Sequence, residues 1–447
     1  MGLYLTIAIR NLLQARRRTA LLVSALAGVT MLLVLLMALS HGLTETMIRS
    51  ATAVTSGHVN VAGFTKNKAT DAWPVLHGLA ALRQEVAGLV PEAESLVVRD
   101  RAWAKVISDR SNMYVSPTGV DVREEERLRE ALVLAKEREY KQGGRDEVLG
   151  DLARLAEPRT AVLFAGQAKR LAVEVGDMVT ITAPTGAGRT NTVDVTVVAI
   201  AKDFGYLSSW VIFLTRQDIK DLYQYGEDTG SVIQIYLRDP AQSELVMGRL
   251  REDLKRAGHE LMDHEPNPFF FKFERVAGED WTGQKLDLTV WSDEVSYLKW
   301  IVTALDALSF VLVGILMVII AVGITNSMWI AVRERTREVG TVRAIGMRRR
   351  QVLTLFLVEA LLLGLMGTLL GGALGAGLAA GLDAARIHIE TVAVQVVLLS
   401  DVLNLSVTAG QVLWAMAIFT LLTALSALGP AVRAARMQPV TAIHHAG

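Results

Sequence analysis

The chain has 447 residues, 51% of them hydrophobic, with 46 basic and 46 acidic side chains and no cysteine. Zero net charge gives no reason to expect a nucleic-acid partner, and the missing cysteines exclude disulfide staples. The neutrality conceals a division, because residues 41–298 carry 31 Lys plus Arg against 39 Asp plus Glu and the remainder is correspondingly positive.

Residues 1–18 set apolar Leu5, Ile9, Leu12 and Leu13 beside Arg10, Gln14, Arg16 and Arg17. The pattern fits an amphipathic helix on the inner membrane surface or a flexible basic leader. Residues 19–40 follow as a first transmembrane helix, since the run TALLVSALAGVTMLLVLLMAL is uncharged and at ~1.5 Å per residue spans roughly 30 Å, the hydrocarbon thickness of a bilayer. A cleaved signal peptide shares the basic start, but its apolar core is shorter, ~7–15 residues.

Residues 41–298 read as a large external α+β domain. SGHVNVAGF from Ser56 begins with strand-like alternation, GLAALRQEVAGLV from Gly78 has helical spacing, and residues 97–106 return as a strand. A charged helical stretch is expected over 123–141, then a hairpin whose turn is residues 184–191 and whose return strand is TVDVTVVAI. SVIQIYLRDP from Ser231 is a strand and AQSELVMGRLREDLKRAG a helix. The simplest arrangement is two βαβ-like parts, 41–117 and 231–298, flanking a β-rich insert at 118–230.

Three further spans follow at residues 299–332, 351–382 and 410–432, with a short connection at 333–350, a loop at 383–409 and a tail at 433–447. Lys and Arg near membrane ends stay in the cytoplasm. Arg16, Arg17 and Arg18, the seven arginines of RERTREVGTVRAIGMRRR, and Arg433 with Arg436 then share the cytoplasmic side. Both termini are expected to be cytoplasmic and the acidic domain external. Asp306 lies near the outer end of the second span, within reach of water, and Glu359 two turns into the third, where it is expected to form a structural ion pair with the arginine-rich connection. Gly367, Gly371 and Gly375 are spaced by four, as are Gly377 and Gly381, which suits close helix packing. In 333–350, Val339 and Val342 form a small apolar edge, while Gly340 and Gly346 permit close approach or a turn.

Catalytic and metal signatures are missing. There is no G-x-x-x-x-G-K-[ST] phosphate loop, and GAGRT at Gly186 joins two expected strands, so it reads as a hairpin turn. In HELMDHE, His259 and His264 are five apart and cannot share one helix face with zinc spacing; a solvated loop is the expectation there, as is solvation for His444 and His445. No metal, no bound cofactor and no enzyme activity are expected in this chain.

ERTREVGTVRAIGMRRRQVLTLFLVEALLLGLMGTLLG from Glu334 closely resembles the region after the second span in the FtsX/MacB/LolC superfamily of ABC transporter permeases. PAVRAARMQPVTAI from Pro430, AIRNLLQARRRTALLV, SGHVNV and LAVEVGDMVTI resemble other parts of it. The resemblance implies an α-helical membrane protein of the bacterial inner membrane, with four transmembrane helices and a porter-like periplasmic domain split around the β-rich insert. It implies pairing with a second permease chain, same or homologous, and two copies of an ABC ATPase that binds ATP and Mg. That ATPase is expected as a separate subunit, since 18 residues precede the first span. Residues 333–350 would be the coupling helix, with Glu334, Arg335, Glu338, Val339, Arg343 and Gly346 docking on the ATPase. Force would pass to the periplasmic domain by mechanotransmission. The layout is similar to lipoprotein-releasing permeases, for which Met31, Leu35, Leu39, Phe310 and Val313 would touch acyl chains and a periplasmic lipoprotein carrier or adaptor would be a partner. The short 184–191 hairpin departs from the extended carrier-recruiting hook of LolC. Efflux of peptides, antibiotics or other envelope molecules, or regulation of a periplasmic hydrolase, are the alternatives.

Overall fold

The computed structural model describes residues 2–68, 72–185, 188–203, 207–387, 389 and 402–437. The chain divides into two compact units, one of Met1–Thr44, Val302–Ile387 and Leu403–Gly447, the other of Glu45–Ile301 and His388–Val402.

The first unit is helical. Its elements are α1 (Gly2–Gln14), α2 (Arg16–Val54), α3 (Ser296–Glu334), α4 (Thr336–Ala344), α5 (Arg349–Ala384) and α6 (Ala409–Arg436), of which α2 and α3 continue into the second unit. Four of these, α2, α3, α5 and α6, are long and apolar enough to cross a membrane. In lipid a helix is one of the few ways to satisfy every backbone polar group, so long apolar runs with almost no charge adopt it. Leu26, Val313, Ile324, Phe356 and Phe419 form the shared core. Thr408 caps α6, its hydroxyl accepting from Gln411 N at 3.3 Å while its own amide donates to Gln411 Oε1 at 3.1 Å. Pro430 lies inside α6 and has no N–H for the carbonyl of Ser426; Thr325 of α3 donates to that carbonyl at 3.0 Å instead.

The glycines of α5 divide by face. A Cβ on Gly367 would lie 2.8 Å from Leu26, one on Gly371 2.8 Å from the Ala27 Cα, and one on Gly375 3.0 Å from Val34, all on α2. Gly364 and Gly372 face α6 at Thr423 and Val412. Gly377 and Gly381, expected to pack in the same manner, have nothing within 4 Å among the described residues.

The second unit is built on a mixed sheet. Strands Val59–Lys66, Ala93–Arg101, Val232–Leu237 and Gly283–Val290 pair antiparallel, in the order 93–101, 232–237, 59–66, 283–290. Helices Leu79–Leu89 and Ser243–Arg256 bury Leu82, Val86 and Leu250 against Val61, Ile233 and Leu286 of these strands. Strands Ala104–Ile107, Asn112–Val120, Thr160–Phe164, Met178–Pro184, Thr190–Ala201 and Val211–Thr215 form the remainder, joined to the first group where Asp100 and Arg101 pair with Gly119 and Thr118. Pairing therefore groups residues 104–120 with the insert rather than with the flanking part.

The expected helix over 123–141 is absent as a continuous element. Only Glu126–Ala131 and Glu137–Tyr140 are helical, and Leu134 and Lys136 bridge to Ala201 and Val148. Burial of Leu128, Leu132 and Ala135 draws the stretch between them out along the sheet, and tertiary packing overrides local helix preference. The hairpin Met178–Pro184 and Thr190–Ala201 forms with the sequence-expected strands. Its turn includes 186 and 187, which lie outside the described residues, as do His444 and His445 and most of the 433–447 tail.

Candidate coupling site

The 333–350 connection folds into α4 and a closing turn. Gly346 takes φ +112°, which only glycine adopts without strain. Its amide donates to Arg343 O at 3.1 Å, and the Met347 amide donates to Val342 O at 3.1 Å. This paired bonding is the Schellman termination, so α4 ends at a defined point before α5 begins.

Two arginines bind this segment to the helices around it. Arg335 Nη1 donates to both oxygens of Glu359 in α5, at 3.2 and 2.9 Å, and Nη2 donates to the Asn11 carbonyl of α1 at 3.3 Å. The pair is deeply placed, with side chains 12% and 3% exposed, so each charge depends on the other. Arg343 Nη1 donates to the carbonyls of Ala435 and Met437, at the end of α6, at 3.0 and 2.7 Å. Val339 and Met347 pack partly buried against the helical core. Arg18 forms a more open pair with Glu334 at 3.0 Å.

The six residues expected to meet a partner together therefore separate. Arg335, Arg343 and Val339 turn inward as fasteners, while Glu334, Glu338 and Gly346 are exposed. Ile345, which the sequence did not single out, is 82% exposed and stands with exposed Val342 on the outer surface of the segment. Together they leave a small apolar patch on the outer side of an otherwise charged helix. Its signal in the sequence was only that Ile345 follows the Val339–Val342 edge by one turn.

The five residues expected to touch acyl chains are not assembled as a group. Leu35 and Leu39 pack towards Ala38, Ala379 and Leu405, Val313 is buried in the core, Met31 is half-buried, and Phe310 is 80% exposed. Asp306 accepts from Ser40 at 2.6 Å, which gives it a partner on α2.

In the second unit, side chains hold the chain where α2 ends and where α3 is about to begin. Arg99 donates to Val54 O at 2.7 Å and to Glu125 at 2.9 Å, and Tyr236 donates to Thr52 O at 2.8 Å. Arg101 donates to Thr55 O at 2.9 Å and to Glu294 at 3.1 Å, and Thr289 donates to the other oxygen of Glu294 at 2.8 Å. These bonds satisfy carbonyls that the end of a helix leaves without intrahelical partners. The two histidines of HELMDHE also separate, His259 to Glu85 at 2.9 Å and His264 to Asp293 at 3.0 Å.

Among the described residues, four helices are long and apolar enough to cross a membrane, a fastened helix lies between the second and third, and a large α+β domain is inserted between the first two. Residues 310–439 match the FtsX-like permease C-terminal family. The chain is similar to the pyoverdine export ATP-binding/permease protein PvdT of Pseudomonas fluorescens, 33% identical over 146 residues that make 33% of this chain and 19% of that protein. It is also similar to the macrolide export ATP-binding/permease protein MacB of Rhodopirellula baltica, 40% identical over 67 residues, 15% of this chain and 10% of that one. The chain thus spans a fifth or less of these curated relatives. The solved periplasmic region of MacB from Actinobacillus actinomycetemcomitans aligns with 57% of this chain and 97% of its own at 10% identity and a TM-score of 0.31.

Proposed function

We propose that this chain is the non-catalytic membrane subunit of an exporter in the bacterial inner membrane, driven by a separate ABC ATPase that docks on α4. The observation that carries this reading is the division of α4 itself. One side is tied by Arg335 and Arg343 to α1, α5 and the end of α6, and the other presents Glu338, Val342 and Ile345. A push on the outer side reaches three helices at once through charged hydrogen bonds. ATP and Mg would be bound by the partner. Two ATPase copies and a second permease chain complete the assembly, and the stripe Val311, Ile315, Val318 and Val322, all exposed on α3, supports a lipid or second-chain contact there.

With Lys and Arg retained on the inner side, both termini and α4 are cytoplasmic and the α+β domain is periplasmic. Export of amphiphilic molecules is the reading adopted for the client, by analogy with the named functions of MacB and PvdT. Lipoprotein extraction with hand-over to a periplasmic carrier would need Met31, Leu35, Leu39, Phe310 and Val313 as one acyl-chain face, and their dispersed packing does not favour it.

The test is to co-express the cognate ATPase with wild type and with Ile345→Asp/Glu338→Lys. Capture of the ATPase should fall at least ~10-fold, about 1.4 kcal/mol, and permease-dependent ATP hydrolysis should be lost while the thermal midpoint of the permease is unchanged. Undiminished capture would overturn the docking assignment.

A further inference from the structure

The second unit contains a cavity of about 750 Å³ that the coupling reading does not use. Its walls are aromatic. Trp103 meets Trp210 edge-on at 6.2 Å between centroids and Phe270 in a tilted arrangement at 6.5 Å, while Tyr297 meets Trp210 at 6.5 Å and Phe271 at 6.2 Å, both edge-on. Trp73 lines the same space. Edge-on rings at this spacing leave faces uncovered, and Phe271 stays 62% exposed at the rim. The volume lies in the ordinary range for small-molecule pockets, on the order of 300–1,000 Å³.

Charge in the lining is unequal. Arg101 and Glu294 neutralise each other, and the Arg101 guanidinium also donates to Thr55 O. Glu274 also lines the cavity, is exposed, and makes no ion pair among the described residues. The site thus offers apolar ring faces, which attract cations through their quadrupoles, and one carboxylate without a counter-charge.

We propose that this cavity binds an amphiphile with a ring-containing apolar body and a single cationic group, the body among the tryptophans and phenylalanines and the cation at Glu274. An anion of the same size would meet Glu274 as a like charge. The inference goes beyond the coupling reading, because binding requires neither nucleotide nor ATPase.

The experiment uses the full chain in lipid nanodiscs without nucleotide, with empty nanodiscs subtracted. Rhodamine 6G is the cationic probe and anilinonaphthalene sulfonate the anionic one, each titrated by fluorescence polarisation. Rhodamine should bind saturably at one site per chain and more tightly than the sulfonate. Phe271→Ala should weaken it ~3- to 10-fold, the loss of a ring contact, and Phe271→Tyr should restore it. Glu274→Gln should weaken rhodamine about fivefold. Both residues are exposed, so these variants test binding without emptying the core. No saturable signal, equal affinity for both dyes, or variants that bind like wild type would each overturn the proposal. The outcome is separable from the docking test, whose readout is ATPase capture.

Discussion

His58 lies just before the strand Val59–Lys66, 2% exposed, with Nδ1 accepting the Leu237 amide at 2.9 Å. Burial, aided by the positive charge of Arg127, lowers its pKa to about 4. The folded state therefore keeps His58 neutral, while the unfolded chain protonates it near 6.5. The penalty for protonating it in the folded state is absent above pH 6.5 and grows as pH falls towards 4, so the fold loses stability over that window. Buried Asp100, Asp218 and Asp287 have raised values and act in the opposite direction. The informative measurement is thus the difference between wild type and His58→Asn in urea midpoints from pH 7 to pH 4, and the gap between them should narrow on acidification. Residue identity made some of this chemistry legible in advance. Glu359 was conspicuous as the single charge of its apolar run, and a pair with the arginine-rich connection followed from cost alone. Which of seven arginines would answer it, and that Arg343 would turn to backbone carbonyls, depended on the helix rotation and on the end of α6, more than ninety residues downstream.

Elements show the same division between pattern and placement. The four-residue spacing of glycine in α5 signalled close packing, and Gly367, Gly371 and Gly375 do receive α2. Gly377 and Gly381 share that spacing but face nothing within 4 Å among the described residues, because a one-dimensional repeat does not specify which side of a helix has a neighbour. Gly371→Ala should destabilise the helical unit by about 1–3 kcal/mol, since backbone rather than a flexible side chain blocks the new methyl group. Gly377→Ala should be neutral or stabilising by up to about 1 kcal/mol, reflecting helix propensity. Thermal unfolding of both variants in one detergent distinguishes them. The α1 helix carries a related lesson. Ala8 and Leu12 are buried, while Leu5, Ile9 and Leu13 form an exposed stripe suited to a membrane surface. The failed helix over 123–141 had composition in its favour but buried residues at spacings that its own sheet required.

Across the whole molecule, α2 and α3 are each 39 residues long, ~58 Å at the α-helical rise and about twice what a bilayer core requires. Their apolar stretches were evident in the sequence; their continuation beyond those stretches was not, since residues 41–54 are more polar and were assigned to the external domain. Arg101 holds the chain at both of these positions. Arg101→Met should cost about 3–5 kcal/mol by leaving Glu294 buried without its counter-charge, and Arg101→Met/Glu294→Leu should recover most of that loss in urea unfolding followed by tryptophan fluorescence. Because one guanidinium grips both Thr55 and Glu294, those two points cannot diverge without breaking a charged bond, yet they can shift together with that bond intact. A single side chain therefore permits a common displacement of these two points and opposes their separation.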